Sequence, residues 1–304
     1  MATTGTTSFN LDLNNLIEEA FERCGSELRT GYDMRTARRS LNLLTIEWAN
    51  RGINLWTIEP GQIQLNQGQI MYALPTDTID LLDTVIRTGT GQNQTDINIT
   101  RISESTYITI PNKNAQGRPI QIWINRQTGA ENPTGYTVAE ALDATETTIT
   151  LSSTVNLAQF GFIKVDTETI QYGGISGNDL VDCVRGVNNT TATTHLTGAA
   201  VTTQNLPAVN VWPCPDQGEY YTLVYYRLRR IQDGGTGTTT QDIPFRFLPA
   251  VVAGLSYYLS LKIPEAMNRI QMLKEDYEQQ FQLAADEDRE KASIRLAPRM
   301  QFIR

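Results

Sequence analysis

The chain holds one histidine, His195, and three cysteines, Cys24, Cys183 and Cys214. These residue types most often carry metal, redox or nucleophilic chemistry. The cysteines are odd in number and far apart, and no CxxC spacing occurs. Neither a zinc site nor a disulfide framework is supported, and a reduced compartment is expected. A triad or metal site on His195 would need partners that no nearby spacing supplies, so its Thr-rich turn points to a surface or packing role. Asp166 and Glu168 have the residue types of a glycosidase carboxylate pair. They flank a hairpin turn, however, and read as ordinary turn polarity. No P-loop with a Gly-Lys-Ser/Thr ending is present, so nucleotide hydrolysis is unsupported. Trp123, Trp212, Tyr225 and Tyr226 have the ring surfaces of a sugar platform, yet at strand spacing they read as core and interface aromatics. The chain is therefore expected not to be an enzyme and to need no cofactor or metal.

Two basic stretches suggest contacts with other molecules. Arg289, Lys291, Arg295, Arg299 and Arg304 make five basic residues against one acidic residue between positions 289 and 304. Ile294, Leu296, Met300, Phe302 and Ile303 are interleaved with them. Such a segment can order on binding, with apolar side chains as anchors and arginines pairing with acidic groups. Arg35, Arg38 and Arg39 sit on the first turns of a helix, either as a solvated, salt-bridged face or as a contact with a neighbouring subunit.

The elements that position these residues follow from pattern. The 304 residues suffice for two domains or one elaborated domain. The net charge of -8 argues against a general nucleic-acid coat. The N-terminal residues are polar, without the apolar region of a signal peptide, and no run reaches the ~18 apolar residues of a membrane span. The protein is expected to be soluble, made in the cytosol and without a membrane partner. Leu13, Leu16, Ile17, Ala20, Phe21 and Cys24 recur at helical spacing and predict a helix over 11–24. A second helix over 34–50 carries Met34, Ala37, Leu41, Leu44 and Trp48 on one face, with Leu43 and Ile46 off that stripe, so two buried sides are expected. Gln62–Leu65 and Ile70–Leu74 read as a hairpin, and Tyr220–Ile231 as a central strand. Residues 129–204 read as an insertion between two strands that pair in the parent domain. An apolar helix over 246–263 and an amphipathic one over 264–290 follow.

The expected fold class is α+β. It comprises a four-helix bundle from the two termini (9–56 and 243–290) and a mid-sequence antiparallel β domain (57–128 and 205–232). A second small β domain is inserted over 137–203, and an extended tail covers 291–304.

The chain resembles the head-to-tail adaptor, or connector, proteins of short-tailed bacteriophages. Three stretches carry the resemblance: Ala37–Leu44 with Trp48–Trp56, Trp123–Arg126 with Val211–Asp216 and Tyr225–Arg227, and the apolar helix followed by a helix and a loose tail. The 137–203 block resembles a small β module of phage structural proteins, through Glu168–Tyr172, Val184-Arg185-Gly186 and the Thr-rich stretch ending in His195. The resemblance implies a homo-oligomeric ring, commonly twelve-fold, assembled in the host cytoplasm and placed at the head–tail junction of the virion. Its partners would be the portal protein above, a tail nozzle protein below, and passing double-stranded DNA bound without sequence preference. It implies that the C-terminal tail, with residues 289–304, reaches up into the portal; the subunit contact of Arg35, Arg38 and Arg39 rests on those residues alone. A negative body is compatible with a DNA conduit, because weak repulsion limits sticking of a polyanion. Two other classes stand beside this reading: a decoration or glycan-binding protein acting through the inserted module, and a wall-degrading hydrolase, which has the least support.

Overall fold

The computed structural model describes residue 5 and residues 11–52, 55–89, 91–218 and 220–288. Helices α1 (Leu13–Cys24) and α2 (Gly31–Arg51) lead into β1 (Ile58–Gln64), β2 (Met71–Ala73), β3 (Thr78–Thr88), β4 (Thr95–Asn98) and β5 (Thr100–Arg101). The short α3 (Glu104–Ile108) and β6 (Gln121–Asn125) follow. Next come β7 (Ala130–Thr137), β8 (Ile149–Thr150), β9 (Gly161–Val165), β10 (Glu168–Tyr172), β11 (Gly174–Ser176), β12 (Asp179–Val181) and β13 (Ala200–Asn205). Strands β14 (Ala208–Trp212) and β15 (Tyr221–Arg229) precede α4 (Leu248–Ser260) and α5 (Ile270–Glu287). The chain forms two units, one from the described residues of 1–57 and 230–304, the other from those of 58–229.

In the first unit, local signals set the helix ends. Asp12 caps α1, its Oδ1 accepting from the Asn15 N–H at 2.8 Å. A capping box starts α2 at Gly31, three residues before the apolar stripe begins: Thr30 Oγ1 accepts from the Asp33 N–H, and Asp33 Oδ2 accepts from the Thr30 N–H. Pro264–Arg269 forms 3-10 turns, so the last helix begins only at Ile270.

The expected four-helix bundle from the two termini does not form. The chain is α+β, but among the described residues fifteen strands in four sheets dominate over five helices. The terminal helices instead gather round α4, on which α1, α2 and α5 each pack. The cause is the composition of α4, which buries Ala250 through Ser256, Leu259 and Ser260. A helix apolar on nearly all sides takes the centre, whereas a bundle needs every helix to offer one stripe to a shared axis. A second expectation also fails. Leu43 and Ile46 are not buried within the chain but 55% and 57% exposed, so α2 has one covered side. The extended tail lies outside the described residues.

Gly254 allows the close approach at this hub. A Cβ there would stand 2.8 Å from Leu44 Cδ1 and 2.8 Å from Tyr277 Cε2. Glycine to alanine inside a helix ordinarily gains about 1 kcal/mol. Both neighbours are buried and packed, so Gly254→Ala is expected to lose about 1–2 kcal/mol instead. Urea denaturation followed at 222 nm checks the sign.

The second unit holds a pair of four-stranded sheets, ordered β1-β15-β3-β4 and β2-β14-β6-β5. Leu65, Leu81, Ile86, Ile122, Val209 and Leu223 belong to the core they share. The β5–β6 pair is parallel, so this domain is not wholly antiparallel as expected. Nor do 62–65 and 70–74 form a hairpin. Strand β1 pairs with β15 and β2 with β14, so residues 65–70 turn a corner between sheets. The Tyr72 hydroxyl accepts from the Asn66 N–H at 2.9 Å and secures that corner. Strands β6 and β14 pair, and β7 and β13 continue outward as the paired stem of the intervening residues. Those residues form the sheets β10-β9-β13-β7 and β11-β12-β8 around Val138, Ile149, Ile163, Ile170, Leu180 and Val201. Among the described residues, no helix is long and apolar enough to cross a membrane.

Candidate functional site: a buried carboxylate clasp and an exposed helix face

The β9–β10 hairpin turns at Asp166, which takes a left-handed φ of 51° tolerated by aspartate, and pairs Val165 with Glu168. This places Asp166 and Glu168 against His195. The imidazole Nδ1 lies 2.8 Å from Asp166 Oδ2, and Nε2 lies 2.8 Å from Glu168 Oε2. Arg185 completes the group, donating from Nε to Glu168 Oε1 and from Nη2 to Glu168 Oε2, both at 2.8 Å. The Gly186 and Thr193 N–H groups donate to the same carboxylate at 3.0 Å.

Glu168 is fully buried, and His195 is 2% exposed. The partners that sequence spacing did not offer His195 therefore come from 27 and 29 residues away, and Glu168 is an ionic hub rather than turn polarity. Burial pushes the Glu168 carboxyl up, but Arg185, the Thr193 N–H, His195 and the Gly186 N–H outweigh it and hold it at about 2. All its lone-pair positions are taken by donors of the same module. The arrangement clasps the β9–β10 hairpin to the 185–195 segment and leaves Glu168 no oxygen for a substrate.

The other candidates are dispersed. The three cysteines are free and buried, and burial pushes the Cys24 and Cys183 thiols up to about 11 and about 12, which makes them poor nucleophiles. Among the described residues, no group of His, Cys, Asp and Glu side chains is arranged to hold a metal ion. The four aromatics share no platform. Trp123 stacks on Tyr107 at 5.0 Å, the Trp212 indole N–H donates to the Asn112 carbonyl, Tyr225 is buried over Gly61, and Tyr226 is half exposed. A groove of about 650 Å³ runs beside Trp123, but its arginines, Arg101 and Arg126, are both paired with Asp80.

The helix α2 offers a surface of another kind. Tyr32, Arg35, Arg39, Leu43 and Ile46 are all exposed and follow one another at helical spacing along its outer face. Arg38 lies off this stripe, half-buried, with its stem beside Gly234 and its Nε buried without a hydrogen-bond partner. The three arginines, Tyr32 and Asn42 line a shallow groove of about 410 Å³. A second groove of about 420 Å³ carries Tyr32, Arg39 and Leu43 on to Phe21, Leu259 and Ile263. Positive charge thus borders exposed apolar surface on a helix anchored by α4. Tyr32, Leu43 and Ile46 were not singled out for contact from the sequence, although their spacing with Arg35 and Arg39 could have shown the stripe.

The proposed docking residues Arg289, Lys291, Ile294, Arg295, Leu296, Arg299, Met300, Phe302, Ile303 and Arg304 lie outside the described residues. In comparisons with known proteins, no protein-family model matches the chain and no curated protein matches it significantly.

Proposed function

We propose that this protein is a virion structural protein, a ring adaptor that sits between a portal and a tail nozzle, extends the DNA channel and helps to retain packaged DNA. The observation that carries the reading furthest is the outer face of α2. Exposed Tyr32, Leu43 and Ile46 lie in line with Arg35 and Arg39, a combination suited to contact with another protein subunit. The sequence resemblance to connector proteins supplies the setting. In it the segment 289–304 docks in the portal, with Ile294, Leu296, Met300, Phe302 and Ile303 as anchors and its basic residues against acidic groups. Repetition around a ring turns weak single contacts into firm attachment.

The test is co-sedimentation with the portal ring of the same phage, using the full chain and a chain stopped at Glu290. The full chain is expected to join the ring, and the shortened chain to bind at least about tenfold more weakly, through loss of repeated contacts. Binding by both would move the anchor to the helical unit. Binding by neither would overturn the portal-docking reading.

A further inference from the structure

The outer face of α5 has the same layout as that of α2. On α2 the exposed stripe runs Tyr32, Arg35, Arg39, Leu43, and on α5 it runs Met272, Glu275, Gln279, Leu283. The spacing is identical, three, four and four residues, so each stripe is about 16 Å long. Both begin and end on an exposed apolar side chain: Tyr32 is 63% and Leu43 55% exposed, Met272 58% and Leu283 59%. Between these ends, α2 carries two cations and α5 an acid and an amide. Ile46 extends the apolar end of the α2 stripe.

Within one chain the two faces do not meet, since both are exposed while the opposite sides of their helices pack on α4. Any partner of either face is therefore another molecule, and the α5 face of a second copy offers the α2 arginines an acid and an amide. We infer that the outer face of α2 in one subunit packs on the outer face of α5 in the next, with Arg35 and Arg39 against Glu275 and Gln279 and the apolar ends meeting each other. The inference rests on the ring-adaptor reading and names the subunit contact within it. Laid side by side in either direction, the stripes bring an arginine to Glu275 and apolar residues to Met272 and Leu283.

Charge also selects the symmetry. Two α2 faces meeting head-on would set arginines against arginines in either direction, and two α5 stripes would offer Glu275 no cation. Self-complementary pairing is disfavoured, and the head-to-tail contact of α2 on α5 is favoured. Such a contact repeats around a ring when its rotation closes. A single contact of this length is weak, and closure of the ring reinforces it.

The experiment is a charge exchange on the full chain. Sedimentation velocity is recorded over a concentration series, alone and with the portal ring. Arg35→Glu with Arg39→Glu gives two acidic faces, and Glu275→Lys with Gln279→Lys gives two basic faces. Each double variant is expected to assemble at least about tenfold more weakly than wild type, with unchanged helical circular dichroism. An equimolar mixture of the two, or one chain carrying all four substitutions, is expected to recover assembly, because each junction again joins opposite charges.

The pairing is overturned if a double variant assembles as wild type does, if neither the mixture nor the quadruple variant recovers, or if wild type stays monomeric in both settings. Wild type that joins the portal while all reversed variants do so equally well would refute the helix pairing and leave the adaptor reading standing. Charge-dependent self-assembly without portal binding would do the opposite. Loss of portal binding alone, with self-assembly unchanged, would assign the α2 face to the portal and overturn the pairing.

Discussion

Glu168→Ala should cost about 3–5 kcal/mol and cost it within the module that holds β9 and β10, because removing one partner of a buried ion pair leaves the other without compensation. The Arg185 side chain is 6% exposed and gives Glu168 two hydrogen bonds. Its removal also orphans the Gly186 and Thr193 N–H groups and one side of His195. Glu168→Gln is expected to be nearly as damaging, since its amide sets a donor against the donors around it. Urea titration with pulsed hydrogen exchange, read over peptides covering 160–200, locates the loss. A cost below about 1 kcal/mol would show that the clasp does not hold the module together.

The same carboxylate makes the module acid-sensitive. Its folded value of about 2 lies below the ordinary 4.5, so the stabilisation is fully present above 4.5 and disappears as pH falls toward 2. The difference corresponds to about 3 kcal/mol. In Glu168→Ala this part of the acid dependence is expected to vanish, which distinguishes the charge from loss of packing.

Trp48→Ala has the largest expected effect in the helical unit, about 3–5 kcal/mol for a large buried aromatic. Trp48 is 1% exposed, meets Phe247 and Phe281 edge-on at 6.4 and 6.0 Å, and donates its indole N–H to the Tyr277 hydroxyl at 3.2 Å. That hydroxyl donates to Glu47 Oε2, as does the Tyr258 hydroxyl, so one side chain joins the apolar hub to a polar network linking α2, α4 and α5. Trp48→Phe keeps most of the burial and drops the hydrogen bond, and is expected to cost far less than the alanine variant. The signal at 222 nm isolates the transition, because the described helix of the other unit is only the five-residue α3. Equal losses for alanine and phenylalanine would mean that the hydrogen bond, and not the packing, dominates.

Local chemistry was legible in the chain wherever neighbours in sequence decide it. The apolar spacing of α1, the turn between β9 and β10 and the β-branched, aromatic run of β15 each rest on backbone preferences within a few residues. The net charge and the separation of the cysteines could likewise be read directly. Tertiary structure decided the rest, because burial and partnership depend on what folds back from far away. It gathered the helices round α4 instead of into a bundle and sent β1 and β2 to different sheets. It left Leu43 and Ile46 in the open, since periodicity shows where apolar side chains point but not which side another element covers. It also joined His195 to Asp166, Glu168 and Arg185, because a buried charge finds its partner by position in space, and spacing along the chain carries no trace of that.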